Sequence, residues 1–227
     1  MTAIVLQGDC REVIPTQGLF DLIFADPPFN IGQDYEGYDD RRPIDEFEVF
    51  TSEWIEACWN ALNPNGVLVL HGPDTLADMY LFHARRLHMK RRTWINWRYG
   101  FGQCTRSNFV DARCHAIIYV KGPGFTWNPD EILIVSDRVK YGDKRVNETE
   151  RGGKRLPGTV WGIPSDGVEW MLPPEWQGLY DIIPGDGKNW GRVVGNSAER
   201  VPDRPNQLPE VYLERLIRAY TNPGDRI

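Results

Sequence analysis

The residues best suited to a chemical step are Asp26-Pro27-Pro28-Phe29, a carboxylate, two imino acids and an aromatic ring that follow the apolar run Leu22-Ile23-Phe24-Ala25. The carboxyl end of a buried strand is where open α/β sheets place their ligands. The prolines stiffen the turn, and their missing N–H groups leave the carbonyls free to point outward. Methylation of an exocyclic amino group would use every part of this turn. Such a nitrogen is a poor nucleophile because its lone pair is delocalised into the ring. Two acceptors aimed at its hydrogens, the Asp26 carboxylate and the Pro27 carbonyl, favour a tetrahedral nitrogen and localise that lone pair. Phe29 offers a flat face to a base taken out of its duplex, and such stacking contributes about 1–3 kcal/mol per base. Taken alone, Asp-Pro-Pro is also what a plain strand-ending turn looks like.

Other candidates are weaker. Glu36, Asp39 and Asp40 could pair carboxylates around a metal in a nuclease, but no His or Lys sits at a fitting spacing. Cys10, Cys58, Cys104 and Cys114 contain no C-x-x-C pair, and His71, His83, His88 and His115 show no ligand spacing. The expectation is free thiols and no metal. The N-terminus lacks a basic n-region and cleavage site, and no run approaches the roughly 18 apolar residues of a membrane span. A cytoplasmic protein without a membrane partner is the default.

The 26 basic and 32 acidic residues give a net charge of −6, which argues against nucleic-acid binding by whole-molecule attraction. The charge is segregated, however. Residues 34–56 are acidic, whereas Arg85, Arg86, Lys90, Arg91, Arg92 and Arg98 crowd one stretch and residues 138–155 form another. Local phosphate-contacting surfaces have this character, as do ordinary solvated faces.

Several elements must position the turn. Ile4–Leu6 and Leu22–Ala25 are strand candidates. Phe47, Phe50, Trp54, Cys58, Ala61 and Leu62 mark one face of a helix over 45–62, with Asp45 and Glu48 spaced as a capping box. Asn63-Pro64-Asn65-Gly66 ends it before a strand at Val67–Leu70, and a helix is expected over 75–87. Thr93–Arg98, His115–Val120 and Ile132–Val135 are further strand candidates, and Leu213, Leu216, Ile217 and Tyr220 mark a helix over 208–220. Strand-helix alternation predicts an α/β fold with a doubly wound sheet. Residues 152–191 are rich in Gly, Pro and Trp and read as an ordered, loop-rich module.

The motifs resemble those of the N6-adenine/N4-cytosine DNA methyltransferases of the permuted β-class. The likeness runs through Gly8-Asp9-Cys10, Phe20–Gly32, Leu62–Val69, Trp97–Gln103, Tyr141–Arg145, Gly195–Arg200 and Pro205–Pro209, in order along nearly the whole chain. It implies a partial doubly wound, Rossmann-like methyltransferase sheet with a loop-rich target-recognition insertion. Residues 1–120 would be the catalytic portion, 121–191 the recognition region and 192–227 a helix preceding the cofactor loop. Asp26, Pro27, Pro28 and Phe29 would be catalytic. Asp9 and Cys10 would lie beside the adenine of S-adenosylmethionine, Asn206 and Gln207 by its methionine end, and Tyr99 and Phe101 would wall the base pocket.

The resemblance implies double-stranded DNA as substrate and favours adenine N6 over cytosine N4. It leaves open an RNA or protein substrate and a non-catalytic DNA-binding remnant. Arg204-Pro205-Asn206-Gln207 departs from the family's His-Pro-Thr-Gln, and the family's main S-adenosylmethionine loop does not follow Asn222-Pro223-Gly224-Asp225 here. The chain is therefore expected to leave Leu22–Ala25 as an open edge and to bind the cofactor weakly alone. A second polypeptide or a homo-oligomer could complete it.

Overall fold

Apolar side chains of the Leu22–Ala25 run go to both faces of the sheet, and the run forms most of strand β1 (Phe20–Ala25). The computed structural model describes residues 3–35, 38–103, 106–107, 109–140, 142–145, 151–162, 190–193, 197–202 and 206–227. Contacts group the chain into two units, the first made of Met1–Trp94, His115–Thr126 and Asn222–Ile227, the second of Ile95–Cys114 and Trp127–Thr221.

In the first unit, β1 pairs in parallel with β4 (Leu62–Gly72), in the register Leu22↔Val67 to Ala25↔Leu70. Parallel strands need a crossover, and α2 (Ile44–Asn60) supplies it. Phe47, Phe50, Trp54, Ile55 and Cys58 of α2 meet Leu76, Ala77, Tyr80 and Ala84 of α3 (Asp74–Arg86) over Leu68, Leu70, Ile117 and Tyr119 of the sheet. Strands β5 (Lys90–Gln103) and β6 (Asp111–Val120) contribute residues to both units. No helix separates them, and β6 runs antiparallel to β4 from Val67↔Val120 to Gly72↔His115. The sheet is thus mixed, ordered β1-β4-β6-β5-β9, where β9 is Val160–Gly162.

Several expectations need correction. Residues 4–6 are not a strand: Ile4 is 77% and Val5 95% exposed, with no neighbouring strand to take their backbone groups. A short helix not foreseen, α1 (Cys10–Thr16), begins at Asp9, whose carboxylate accepts from the Arg11 N–H. Two two-residue strands, β2 (Asp34–Tyr35) and β3 (Tyr38–Asp39), form a small ladder before α2. The Asp45/Glu48 capping box does not form, because Pro43 is the N-cap and makes no side-chain cap. Helix α2 ends at Asn60, and Asn63–Gly66 is already strand.

β1 is an edge strand, as expected, but part of its edge is covered. The Arg226 carbonyl accepts from the N–H of Asp21 and of Leu22, at 2.8 and 3.3 Å. The Asp21 carboxylate takes the Arg226 N–H at 2.8 Å and the Asn63 amide at 2.6 Å.

The second unit is built on an aromatic cluster. The middle of β5 pairs in parallel with β9 from Asn96↔Val160 to Arg98↔Gly162. Trp97, Trp161, Trp190 and Tyr212 are all buried, and the Trp97 indole N–H donates to the Trp190 carbonyl at 2.8 Å. A 3-10 turn (Pro129–Ile132), β7 (Ile134–Val135), α4 (Asp137–Lys140) and β8 (Lys154–Arg155) follow, β7 pairing antiparallel with β8. The final helix, α5 (Glu210–Tyr220), starts after Pro209 and buries Val211, Tyr212, Arg215, Leu216, Ala219 and Tyr220. Its face is rotated from the expected one, leaving Ile217 exposed. The reason is Arg215, whose guanidinium stacks on Trp190 and Trp161 at 4.3 and 5.1 Å.

Candidate active site

Strand β1 ends where its hydrogen bonding must end. Pro27 and Pro28 have no N–H to continue a ladder, so the chain leaves the sheet directly after Asp26. Asp26 is open to solvent at its rim, yet the protein packed around it withholds water from the carboxyl and raises its pKa to about 7. This is a carboxyl poised to change state near neutrality.

Ala25↔Leu70 is the last register pair of β1 and β4, so His71 is the next residue along β4, beside Asp26. Its ring is 1% exposed, and burial, aided by nearby His115, lowers its pKa to about 3. The imidazole is neutral. It stacks on Phe24 at 5.6 Å and 27° and lies 6.2 Å from the half-buried ring of Phe29, at 47°. Phe29 also packs against the core between α2 and α3. One side of its ring is thus backed by protein. His115, behind this layer, pairs through Nε2 with Asp74 in the first turn of α3 and meets the edge of Trp94.

Asp9 and Cys10 also lie in the first unit. The Asp9 carboxylate caps α1 and is held by the Arg11 side chain, at 2.6 Å from Nη2. These hydrogen bonds keep its pKa below the usual carboxylate value. Arg11 also binds Glu53 of α2 at 2.5 Å and lies over Phe50. Cys10 is exposed.

The remaining candidates belong to the second unit. The Tyr99 hydroxyl donates to the Arg113 carbonyl at 3.3 Å, and its ring lies 5.1 Å from Trp97 and 5.3 Å from the Arg192 guanidinium. Burial pushes its pKa well above the usual tyrosine value. Asn206 adopts a left-handed backbone at φ 57. The Gln207 amide is spent on its own loop, donating to the Glu199 carbonyl at 2.7 Å and accepting from the Val201 N–H at 2.9 Å. The Phe101 side chain, Glu36, Cys104, Tyr141, Gly195-Asn196, Arg204-Pro205 and residues 163–189 of the loop-rich module lie outside the described residues.

Asp9 and Gln207 are each committed to hydrogen bonds within their own segments. The paired-carboxylate reading of Asp39 and Asp40 gives way, because both carboxylates bind backbone N–H groups. Among the described residues, no cluster of three or more His, Cys, Asp or Glu could hold a metal, and no helix is long and apolar enough to cross a membrane. Sequence reasoning did not place His71 beside the turn, and it read Asp40 only as a possible metal-pairing carboxylate. The signal for His71 is its place beside Asp26 on the adjoining strand.

The family model described as DNA methylase (N6_N4_Mtase) matches residues 20–227. The chain is 28% identical to the type II methyltransferase M.HpaI of Haemophilus parainfluenzae, over 90% of this chain and 55% of that protein. It is 26% identical to the DNA adenine methyltransferase YhdJ of Escherichia coli K12, over 97% and 68%, and 31% identical to M.BamHI of Bacillus amyloliquefaciens, over 96% and 47%. It therefore spans between about half and two thirds of the length of these relatives. Its fold is similar to that in the crystal structure of the M1.HpyAVI-SAM complex, with a TM-score of 0.53 at 16% identity, covering 96% of this chain and 76% of that one. The match of nearly the whole chain to one family model, around a turn built as described, means that the chain belongs to the N6_N4_Mtase family of DNA methylases.

Proposed function

We propose that this chain handles the target base in a transfer of a methyl group from S-adenosylmethionine to an exocyclic amino nitrogen of double-stranded DNA, adenine N6 in preference to cytosine N4. The observation that carries this reading is the turn itself, with a desolvated Asp26 carboxyl and a Phe29 ring backed by neutral His71. A base turned out of the duplex stacks on Phe29. The Asp26 carboxylate and the Pro27 carbonyl accept its two amino hydrogens, and Pro28 keeps the turn rigid. S-adenosylmethionine supplies an electrophilic methyl group on its sulfonium. The nitrogen must shed a proton once methylated, and a carboxylate with a pKa of about 7 is a competent acceptor near neutrality.

Asp9, Cys10, Asn206 and Gln207 would border the cofactor, chiefly through the backbone loops they shape, and Tyr99 and Phe101 would wall the base pocket. Residues 121–191 would read the DNA sequence. The cradle for the cofactor would come from a further segment, either continuous with this chain or on a second polypeptide or second copy. The name of YhdJ, a DNA adenine methyltransferase, supports the preference for adenine.

The test is Asp26→Ala at the native gene, followed by nucleoside analysis of the cell's DNA. N6-methyladenine should disappear from one sequence context. Loss of N4-methylcytosine instead would reassign the base, and a change confined to RNA or protein methylation would sink the reading.

A further inference from the structure

The four residues after the catalytic turn all point their backbone N–H groups at one residue. Asp40 is 2% exposed. Its Oδ1 accepts from the Asn30 N–H at 2.8 Å, and its Oδ2 from Ile31 at 3.1 Å and Gln33 at 3.0 Å. Its backbone carbonyl accepts from Gly32 at 2.9 Å. Successive N–H groups that converge in this way form a concave anion site, and here the anion is supplied by the chain itself.

Asn30 makes a second clasp. Its side-chain amide donates to the Arg42 carbonyl at 2.9 Å and accepts from the Arg42 N–H at 2.7 Å. Arg42 in turn lies over Phe50 of α2 at 4.6 Å and over Tyr38 at 5.0 Å. Asn30 sits at φ 58, a left-handed backbone that Asn tolerates better than most residues and that reverses the chain immediately after Phe29. Residues 30–33 are therefore clasped to Asp40 and Arg42, Arg42 is fastened to α2, and Phe29 is the residue that precedes the clasp.

We infer that Asp40 is a positioning residue for Phe29. By holding the N–H groups of residues 30–33, it fixes the direction in which the chain leaves Phe29 and keeps that ring against His71. The role assigned to the ring as a stacking face rests on the proposed function; the clasp does not. Without the carboxylate, the N–H groups of Asn30, Ile31 and Gln33 lose their common acceptor and the ring is free to turn from the face that receives the base.

Asp40→Asn tests this in the full chain, because it preserves volume while turning an amide NH2 toward N–H donors. Amide exchange at Asn30, Ile31 and Gln33 should accelerate by about 100-fold or more, with β1 and β4 unchanged, since local opening is read separately from global unfolding. The nuclear Overhauser contact between the Phe29 and His71 rings should weaken. In the active protein, kcat should fall about 10- to 100-fold with little change in KM for DNA, the size of effect that misplacing a reacting group by an ångström produces. Unchanged exchange at these three amides would overturn the clasp, whatever the activity. Accelerated exchange with an unaltered Phe29–His71 contact would overturn the positioning role. Acceleration extending equally through β1 and β4 would also overturn it, by showing a general loss of stability. A wild-type protein that methylates no DNA would count against the proposed function and leave the exchange and ring-contact results to decide the clasp.

Discussion

The ring of Phe29 rests 6.2 Å from the ring of His71, and the two residues differ in how deeply they are buried. His71 is 1% exposed, so His71→Ala leaves a cavity under the turn. Its expected cost is roughly 2–4 kcal/mol, in line with other large-to-small changes in cores. Phe29 is only half-buried, so Phe29→Ala should cost about 1 kcal/mol of stability or less. It should instead remove about 1–3 kcal/mol of base stacking. Denaturant titration of both variants, with 2-aminopurine fluorescence at the target position, checks the division. The reverse ordering of the two stability losses would refute it.

On the proposed function, Asp26 would make the reaction pH-dependent. Its pKa of about 7 means that the acceptor form is lost as pH falls through neutrality, because a protonated carboxyl presents an O–H where the amino hydrogen needs a lone pair. Turnover of the active protein should rise with pH through about 7 and then level off. The same shift has a stability consequence. The folded pKa is above the ordinary carboxylate value of 3.8, so stability tied to this group is fully present below that value and lost as pH rises through about 7. Asp26→Asn removes the desolvated charge, and should raise the melting midpoint at alkaline pH but not in acid. A midpoint change that is the same at both would show that Asp26 ionises normally.

How far such features can be read from sequence varies by element. β1 is legible because Leu22–Ala25 is a continuous apolar run closed by two prolines, and α2 because its buried residues recur at helical spacing. β5 and β6 extend beyond the apolar cores that predict them, since Lys90–Arg92 and Asp111–Arg113 place charged side chains on exposed strand ends. Ile4–Leu6 reads as a strand from its side chains alone, but a strand also needs a neighbour for its backbone. Asp40 reads, with Glu36 and Asp39, as a carboxylate that could face a metal, because nothing local shows that four N–H groups will converge on it. That convergence depends on the left-handed turn at Asn30, which is a property of the folded loop.

His83 is a destabilising residue within the core of the first unit. It is 3% exposed, its two ring nitrogens have no hydrogen-bond partner among the described residues, and Phe82 meets it edge-on at 5.3 Å. Burial lowers its pKa below the ordinary imidazole value of 6.5, with the nearby charges of Glu48 and Arg86 acting in opposite directions. Above 6.5 both folded and unfolded states are neutral here, whereas below it the unfolded chain takes up the proton first, so stability falls with pH. His83→Leu should stabilise by about 1–3 kcal/mol, the cost of a buried polar group without a partner, and should flatten part of the acid slope. Denaturation at pH values on either side of 6.5 checks both effects, and a destabilised His83→Leu protein would contradict them.

Two glycines of the second unit separate backbone strain from collision. Gly162 lies at φ 105 opposite Arg98 in the β5–β9 pairing, and a Cβ there would collide with the Arg98 carbonyl oxygen. The strands cannot keep their register around such a contact. Trp161, the preceding residue, would be drawn from the cluster with Trp190 and Tyr212. Gly152 has φ 54, but a Cβ there meets nothing within 4 Å. Gly152→Ala should therefore cost only the left-handed penalty of about 1 kcal/mol, whereas Gly162→Ala should exceed about 4 kcal/mol, a size reserved for severe structural conflict. Near-ultraviolet circular dichroism should show the aromatic cluster disrupted in Gly162→Ala and intact in Gly152→Ala. Equal spectra and equal denaturation midpoints would mean that β9 does not pair with β5 in the register Trp97↔Trp161.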